Sequence, residues 1–192
     1  MIRGFNDCAI EAESEVTGGQ SIMNPWPIIG GVANTVCHKD EFIMVNQAQP
    51  GDKIVLTKPL GTQVATNLNQ WLTEDRFKAN SEKSMDLLSV EEARESYYLC
   101  IESMATINKN AATLMQTHSA HGATDITGFG IRGHAQNLVS AQKEPLDFRI
   151  DRLPVIKGMK EINEHVRDFR LLKGYSAETS GGLFVTLPKE NA

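Results

Sequence analysis

The chain has 192 residues, 41% hydrophobic and 22% charged, with a net charge of -5, which is the profile of an ordinary globular protein of one domain or slightly more. Its Lys and Arg residues are scattered with no basic run, which argues against nucleic acid as a partner. No stretch approaches the ~18 consecutive apolar residues of a membrane span, and MIRGFNDCAIEAESEV has no apolar signal core, so the cytoplasm is the expected location.

In chain order, Phe5–Glu15 reads as an amphipathic helix, with Phe5, Cys8, Ala9 and Ala12 at helical spacing. Trp26–Cys37 (WPIIGGVANTVC) is rich in strand formers. Its Gly30-Gly31 pair points to a bulge or a close backbone approach. The polar run His38–Pro50 and the turn Pro50-Gly51-Asp52 mark a boundary, giving parts 1–45 and 46–192. Lys53–Thr57 is a short buried strand and Thr62–Leu72 a helix with Val64, Leu68 and Trp71 on one face. The polar stretch Thr73–Leu88 reads as a loop. Ser89-Val90-Glu91-Glu92 is a capping box, opening a helix expected to run to Thr117 with a buried stripe that includes Tyr97, Ile101, Met104 and Leu114.

Ala123–Ile126 reads as extended and Phe129–Ala141 as a helix. Leu146–Ile150 follows as a strand, Val155–Val166 as a helix and Leu183–Leu187 as a last strand. Strands interleave with helices, so the expected class is α+β or an α/β sandwich. Cys8, Cys37 and Cys100 form no C-x-x-C pair, and read as reduced, mostly buried thiols.

Three glycine-rich corners stand out as candidate sites. In HGATDITGFGIRGH, Asp125 lies between an extended segment and a helix start, where free amides attract phosphate. Two roles fit that pattern: a helix cap or turn residue, or a Mg²⁺ ligand, since Mg²⁺ takes one or two carboxylates beside phosphate oxygens. Gly18, Gly19, Gln20 and Ser21 form a turn whose amides can make an anion-binding nest, although a plain turn fits as well. Glu178–Gly182 (ETSGG) is the third corner. Lys58 can reach a phosphate, or be solvated as most lysines are. His118 and His121 have zinc-like spacing on a helix, but the segment reads as extended, which disfavours zinc.

Four blocks, TGGQSIMNPWPIIGGVANTVC, PGDKIVLTKPLGTQVA, HGATDITGFGIRGHAQNL and ETSGGLFVTLP, together resemble the selenophosphate synthetase (selenide, water dikinase) family, within the aminoimidazole ribonucleotide synthetase-like superfamily. The resemblance implies a two-domain α+β fold whose N-terminal, ATP-binding and dimerising part is incomplete here. It further implies a homodimer that makes selenophosphate, AMP and phosphate from selenide, ATP and water, using Mg²⁺ and often K⁺. It places Asp125 at the family's Mg²⁺-binding aspartate and Gly18, Gly19, Gln20 and Ser21 at its nucleotide-contacting segment. The nucleophilic Cys or selenocysteine, its Lys and the other metal-binding aspartates fall in a region this chain does not contain, so the piece alone is expected to be inactive. Val166–Ser176 departs from the family pattern, as a join between segments would, and Arg132 stands where the family has an apolar residue. A non-catalytic paralogue acting by dimerisation, or another ATP-using synthetase of the superfamily, are the alternatives.

Overall fold

The computed structural model describes all 192 residues, which divide into two compact units, Met1–Phe42 and Ile43–Ala192. The first contains one helix, α1 (Ile2–Glu11), and none of its residues is buried. The helix ends short of the expected Glu15 because Glu13 adopts φ 55, a left-handed conformation that cannot continue the ladder. The run Trp26–Cys37 forms no strand, contrary to its composition. Strand backbone needs a neighbouring strand to take its amides and carbonyls, and no strand lies within this unit. Gly31 does meet a close approach, from the Phe5 ring and not from backbone.

The second unit runs β1 (Lys53–Leu56), α2 (Thr62–Thr73), α3 (Lys78–Met85), α4 (Val90–Ala105), α5 (Lys109–Thr117), β2 (Gly122–Asp125), α6 (Gly130–Ser140), α7 (Met159–His165) and β3 (Leu183–Leu187). The last strand is the central one: the sheet is antiparallel in the order β1-β3-β2, with Val55 and Ala123 both opposite Val185. A strand flanked on both sides and covered on both faces should be apolar throughout. Accordingly Phe184, Val185 and Leu187 are buried, and Phe184 stacks on Phe148 at 6.1 Å. Helix α2 is the core helix, burying Val64, Ala65, Leu68 and Trp71, and Phe169 stacks on Trp71 at 6.0 Å.

Several expectations are corrected by this packing. Residues expected to form the loop 73–88 include helix α3, whose one buried residue is Ser84; its amphipathic signal is absent because almost nothing on it faces the core. The single helix from Ser89 is broken into α4 and α5. Thr106 turns extended at φ -66, ψ 118, and its carbonyl is taken by the Lys58 ammonium at 2.6 Å. The capping box itself is present, with Ser89 Oγ accepting from the Glu92 amide and Glu92 accepting from the Ser89 amide. The face that α4 buries fully is Ala93, Ser96 and Cys100, so the stripe expected as core is only partly so: Tyr97 and Met104 are half-buried, Met104 packing against the core, whereas Ile101 and Leu114 are exposed.

Leu146–Ile150 pairs with no strand, although Leu146 and Phe148 are half-buried; the alternation arises from Phe148 packing on the sheet face. Helix α7 begins at Met159 because Val155 is used in a parallel bridge to Leu60. Only Cys100 is a buried thiol, whereas Cys8 and Cys37 are exposed. Burial lifts the Cys100 thiol above its ordinary range. The segment expected to mark a join is packed into the domain, with Leu171 buried and the Asn163 Oδ1 accepting from the Phe169 and Leu171 amides. No helix is long and apolar enough to cross a membrane.

Candidate functional site

The 43–192 unit gathers three of the four sequence blocks around one loop. Glu178, five per cent exposed, places its carboxylate on the start of α2, accepting from the amides of Gly61 (2.7 Å) and Thr62 (2.9 Å) and from the Thr62 hydroxyl (2.6 Å). Helix starts leave such amides without partners, and a carboxylate there also faces the positive end of the helix dipole. A residue more than a hundred positions away thus caps the helix. Burial raises the Glu178 carboxyl above the ordinary carboxylate value, and the three hydrogen bonds oppose that rise.

Lys58 is buried, which corrects its reading as a solvated lysine. Its ammonium donates to the carbonyls of Thr106 (2.6 Å) and Ser180 (2.8 Å), and burial lowers its pKa. Asn108 donates to the Gly181 carbonyl at 3.0 Å. The two glycines of the corner are there for contact: a Cβ on Gly182 would lie 2.5 Å from the Lys58 amide nitrogen, and one on Gly181 would fall on the Ile126 carbonyl oxygen. The corner therefore ties together the β1–α2 connection, the α4–α5 break and the β2–α6 connection.

That last connection carries Asp125. It is the final residue of β2, opposite Leu183, and it is exposed. Helix α6 starts five residues later with no side-chain cap, so Asp125 does not fill the capping role that its local pattern allowed. Its carboxylate has no hydrogen-bond or ion-pair partner, and both oxygens are open to a cation. This suits a hard divalent ion, whose remaining ligands would be water, phosphate or other carboxylates. No cluster of three or more His, Cys, Asp or Glu side chains is gathered anywhere in the chain, so Asp125 stands without further side-chain donors of this chain around it.

The loop behind it is held firmly. The Ile126 amide donates to the Gly182 carbonyl at 3.0 Å, the Thr127 carbonyl accepts from the Glu178 amide at 3.0 Å, and the Thr127 amide donates to His134 Nε2 at 2.9 Å. Gly130 sits at φ 68 with the Gly174 carbonyl oxygen 2.5 Å from where a Cβ would be; only glycine fits there. Arg132 is exposed, its guanidinium 5.0 Å from the Tyr175 ring centre. His121 pairs with Asp52 at 2.9 Å, and His118 is exposed.

Gly18, Gly19, Gln20 and Ser21 lie in the 1–42 unit as exposed, irregular chain. Gly19 has φ 140, and nothing lies within 4 Å of a Cβ built on Gly18 or Gly19. No other group crowds the side-chain positions of this turn. Sequence reasoning missed the roles of Glu178, Lys58 and His134. All three stand inside the four sequence blocks, but their partners are set by the tertiary fold.

Residues 49–192 match the family model described as AIR synthase related protein, C-terminal domain. The chain belongs to the AIR synthase-related family. It is 53% identical over 192 residues to selenide, water dikinase 2 of Mus musculus, covering all of this chain and 42% of that protein. It is 50% identical over 194 residues to selenide, water dikinase of Dictyostelium discoideum, covering 100% of this chain and 52% of that protein. The chain thus spans about half the length of the curated relatives it matches. Among solved structures it is similar to thiamine monophosphate kinase from Aquifex aeolicus, with TM-score 0.52 and 16% identity over 78% of this chain and 46% of that one. At that identity the likeness speaks to the fold, and it agrees with the mixed helix-and-sheet class expected of this family.

Proposed function

We propose that this chain is part of a selenide, water dikinase that converts selenide, ATP and water into selenophosphate, AMP and orthophosphate. The observation carrying this reading is identity of about half over the whole chain with proteins bearing that name. In this reading residues 1–45 are the remainder of an N-terminal ATP-binding and dimerisation domain, and 46–192 are the C-terminal α+β domain of a cytoplasmic homodimer. The nucleophilic Cys or selenocysteine and its Lys belong to a region outside these residues.

Bound Mg²⁺, with K⁺ assisting, would neutralise phosphate oxygens during phosphoryl transfer. The chain's own part is to bind and orient. Asp125 offers two unpaired carboxylate oxygens at a strand end held by buried hydrogen bonds. Gly18 and Gly19 offer backbone amides with no side chain in the way, as an anion-binding turn requires. Gln20 and Ser21 add side-chain polar groups beside them.

The test uses the full-length protein. AMP should be released from ATP only when selenide is present; ADP as the end product, or AMP release without selenide, rejects the reading. Replacing Asp125→Asn should lower turnover about a hundredfold, since a metal's charge stabilisation is worth several kcal/mol, while circular dichroism stays that of the parent. Unchanged turnover at limiting Mg²⁺ would remove Asp125 from the metal site.

A further inference from the structure

Asp125 is exposed and its carboxylate makes no hydrogen bond or ion pair, yet a metal ligand has to be held to within a fraction of an ångström. Something in the loop behind it must supply that rigidity. Of the four hydrogen bonds made by the Ile126 and Thr127 backbone, three go to other backbone groups, at Gly182, Glu178 and Gly130. The fourth runs from the Thr127 amide to His134 Nε2 at 2.9 Å, and it alone depends on a side chain. An amide can donate to Nε2 only when that nitrogen carries no proton, so the geometry assigns His134 the tautomer protonated at Nδ1.

The imidazole is kept in place by its surroundings. His134 is eight per cent exposed and lies on α6, a regular helix. The Phe129 ring tilts over it with centroids 5.4 Å apart. Phe129 reaches that position because residue 133 is glycine: a Cβ there would lie 2.7 Å from Phe129 Cβ. The glycines and the histidine of GFGIRGH therefore form one device, in which the helix reaches back and grips the loop two residues past the carboxylate.

Resting on the reading of Asp125 as a Mg²⁺ ligand, we propose that His134 is a positioning residue for that ligand. It touches neither metal nor substrate and acts by fixing the Thr127 amide. Buried partners that orient a metal ligand alter metal affinity when they are removed.

The experiment is direct titration of the full-length protein with Mn²⁺, followed by electron paramagnetic resonance, alongside unfolding midpoints and the Mg²⁺ dependence of kcat and KM. His134→Leu keeps the bulk and removes the acceptor. It should weaken the Asp125-dependent Mn²⁺ binding about tenfold and shift Mg²⁺ activation by a similar factor, leaving kcat at saturating Mg²⁺ closer to that of the parent. His134→Gln, whose carbonyl can accept from the same amide, should recover affinity to within about threefold, while the shorter His134→Asn should not, on the same scale of outer-partner effects. If His134→Leu does not fold, the Gln and Asn pair decides: equal affinity in the two overturns the proposal. Parent-like Mn²⁺ affinity in folded His134→Leu overturns it as well. Asp125→Asn separates the two layers. If that variant binds Mn²⁺ as the parent does, the metal reading falls and this inference with it. If it loses the ion while His134→Leu keeps it, only the positioning role falls.

Discussion

Glycine does opposite things at two places in this chain, the open corner at Gly18-Gly19 and the packed loops behind Asp125. In Met1–Phe42, Gly18, Gly19 and Gly30 have nothing within 4 Å of a Cβ position, whereas Gly130, Gly181 and Gly182 in the larger unit are pressed against backbone atoms of other segments. The first kind leaves a surface clear for a ligand. The second lets loops close on one another. A glycine-rich motif thus does not declare by itself which kind it is, and the ETSGG corner, read beforehand only as a turn of unassigned role, proves to be a packing junction.

Substitution measures that contrast. Gly181→Ala should have the largest effect, costing about 3 kcal/mol or preventing folding, because its Cβ would meet the Ile126 carbonyl and backbone cannot step aside cheaply. Urea unfolding reads this, and a near-neutral result would show that the junction is looser than its geometry.

Next comes the capping carboxylate. Glu178→Gln should cost about 1–3 kcal/mol at neutral pH, since a neutral amide cannot serve all three donors around it. The pH dependence has a definite sign. Burial raises the folded-state value of this carboxyl, so the folded protein holds the proton more tightly than the unfolded chain does. Its contribution is full below the ordinary carboxylate value and is lost as pH rises through the folded one. The stability advantage of the parent over Glu178→Gln should therefore shrink as pH rises from about 4, the ordinary glutamate value; an advantage that grows would break the account.

A smaller loss, about 1 kcal/mol, is expected for Ser89→Ala, which removes the acceptor for the Glu92 amide at an exposed helix start. This locates the scale of a purely local cap beside the tertiary one at Glu178. Thermal unfolding midpoints of the two variants compare them directly. Gly18→Ala should move stability by no more than about 0.5 kcal/mol, and any nucleotide affinity it loses in the full-length protein would then report the ligand surface and not the fold. A loss of stability equal to that of Gly181→Ala would erase the distinction between the two kinds of glycine.

The features that could be read in advance share a cause: their partners are near in sequence. The Ser89 capping box is closed by a residue three positions on, and α2 and β3 carry their patterns within themselves, the spacing of Val64, Leu68 and Trp71 and the unbroken LFVTL. The failures share the opposite cause. Trp26–Cys37 has strand composition but no neighbour in its unit to pair with. Helix α3 is too polar to show a buried face. The stripe from Tyr97 to Leu114 is helical in spacing, yet it is at most half-buried, because α4 turns Ala93, Ser96 and Cys100 fully inward.

The same division holds at the site. Asp125 was legible as an acid beside a glycine-rich helix start, and its two possible roles were both stated; that α6 begins without it was visible only in the fold. Lys58 looked like any surface lysine because its partners, the carbonyls of Thr106 and Ser180, are backbone atoms that any residue type would present.

Local sequence was enough to specify most helices and the three strands, because periodicity, capping and turn formation are short-range. Which acid caps α2, where the long helix breaks, and what grips the loop behind Asp125 were decided by tertiary structure. Those choices depend on hydrogen bonds between groups far apart along the chain, whose burial leaves no other partner to satisfy them.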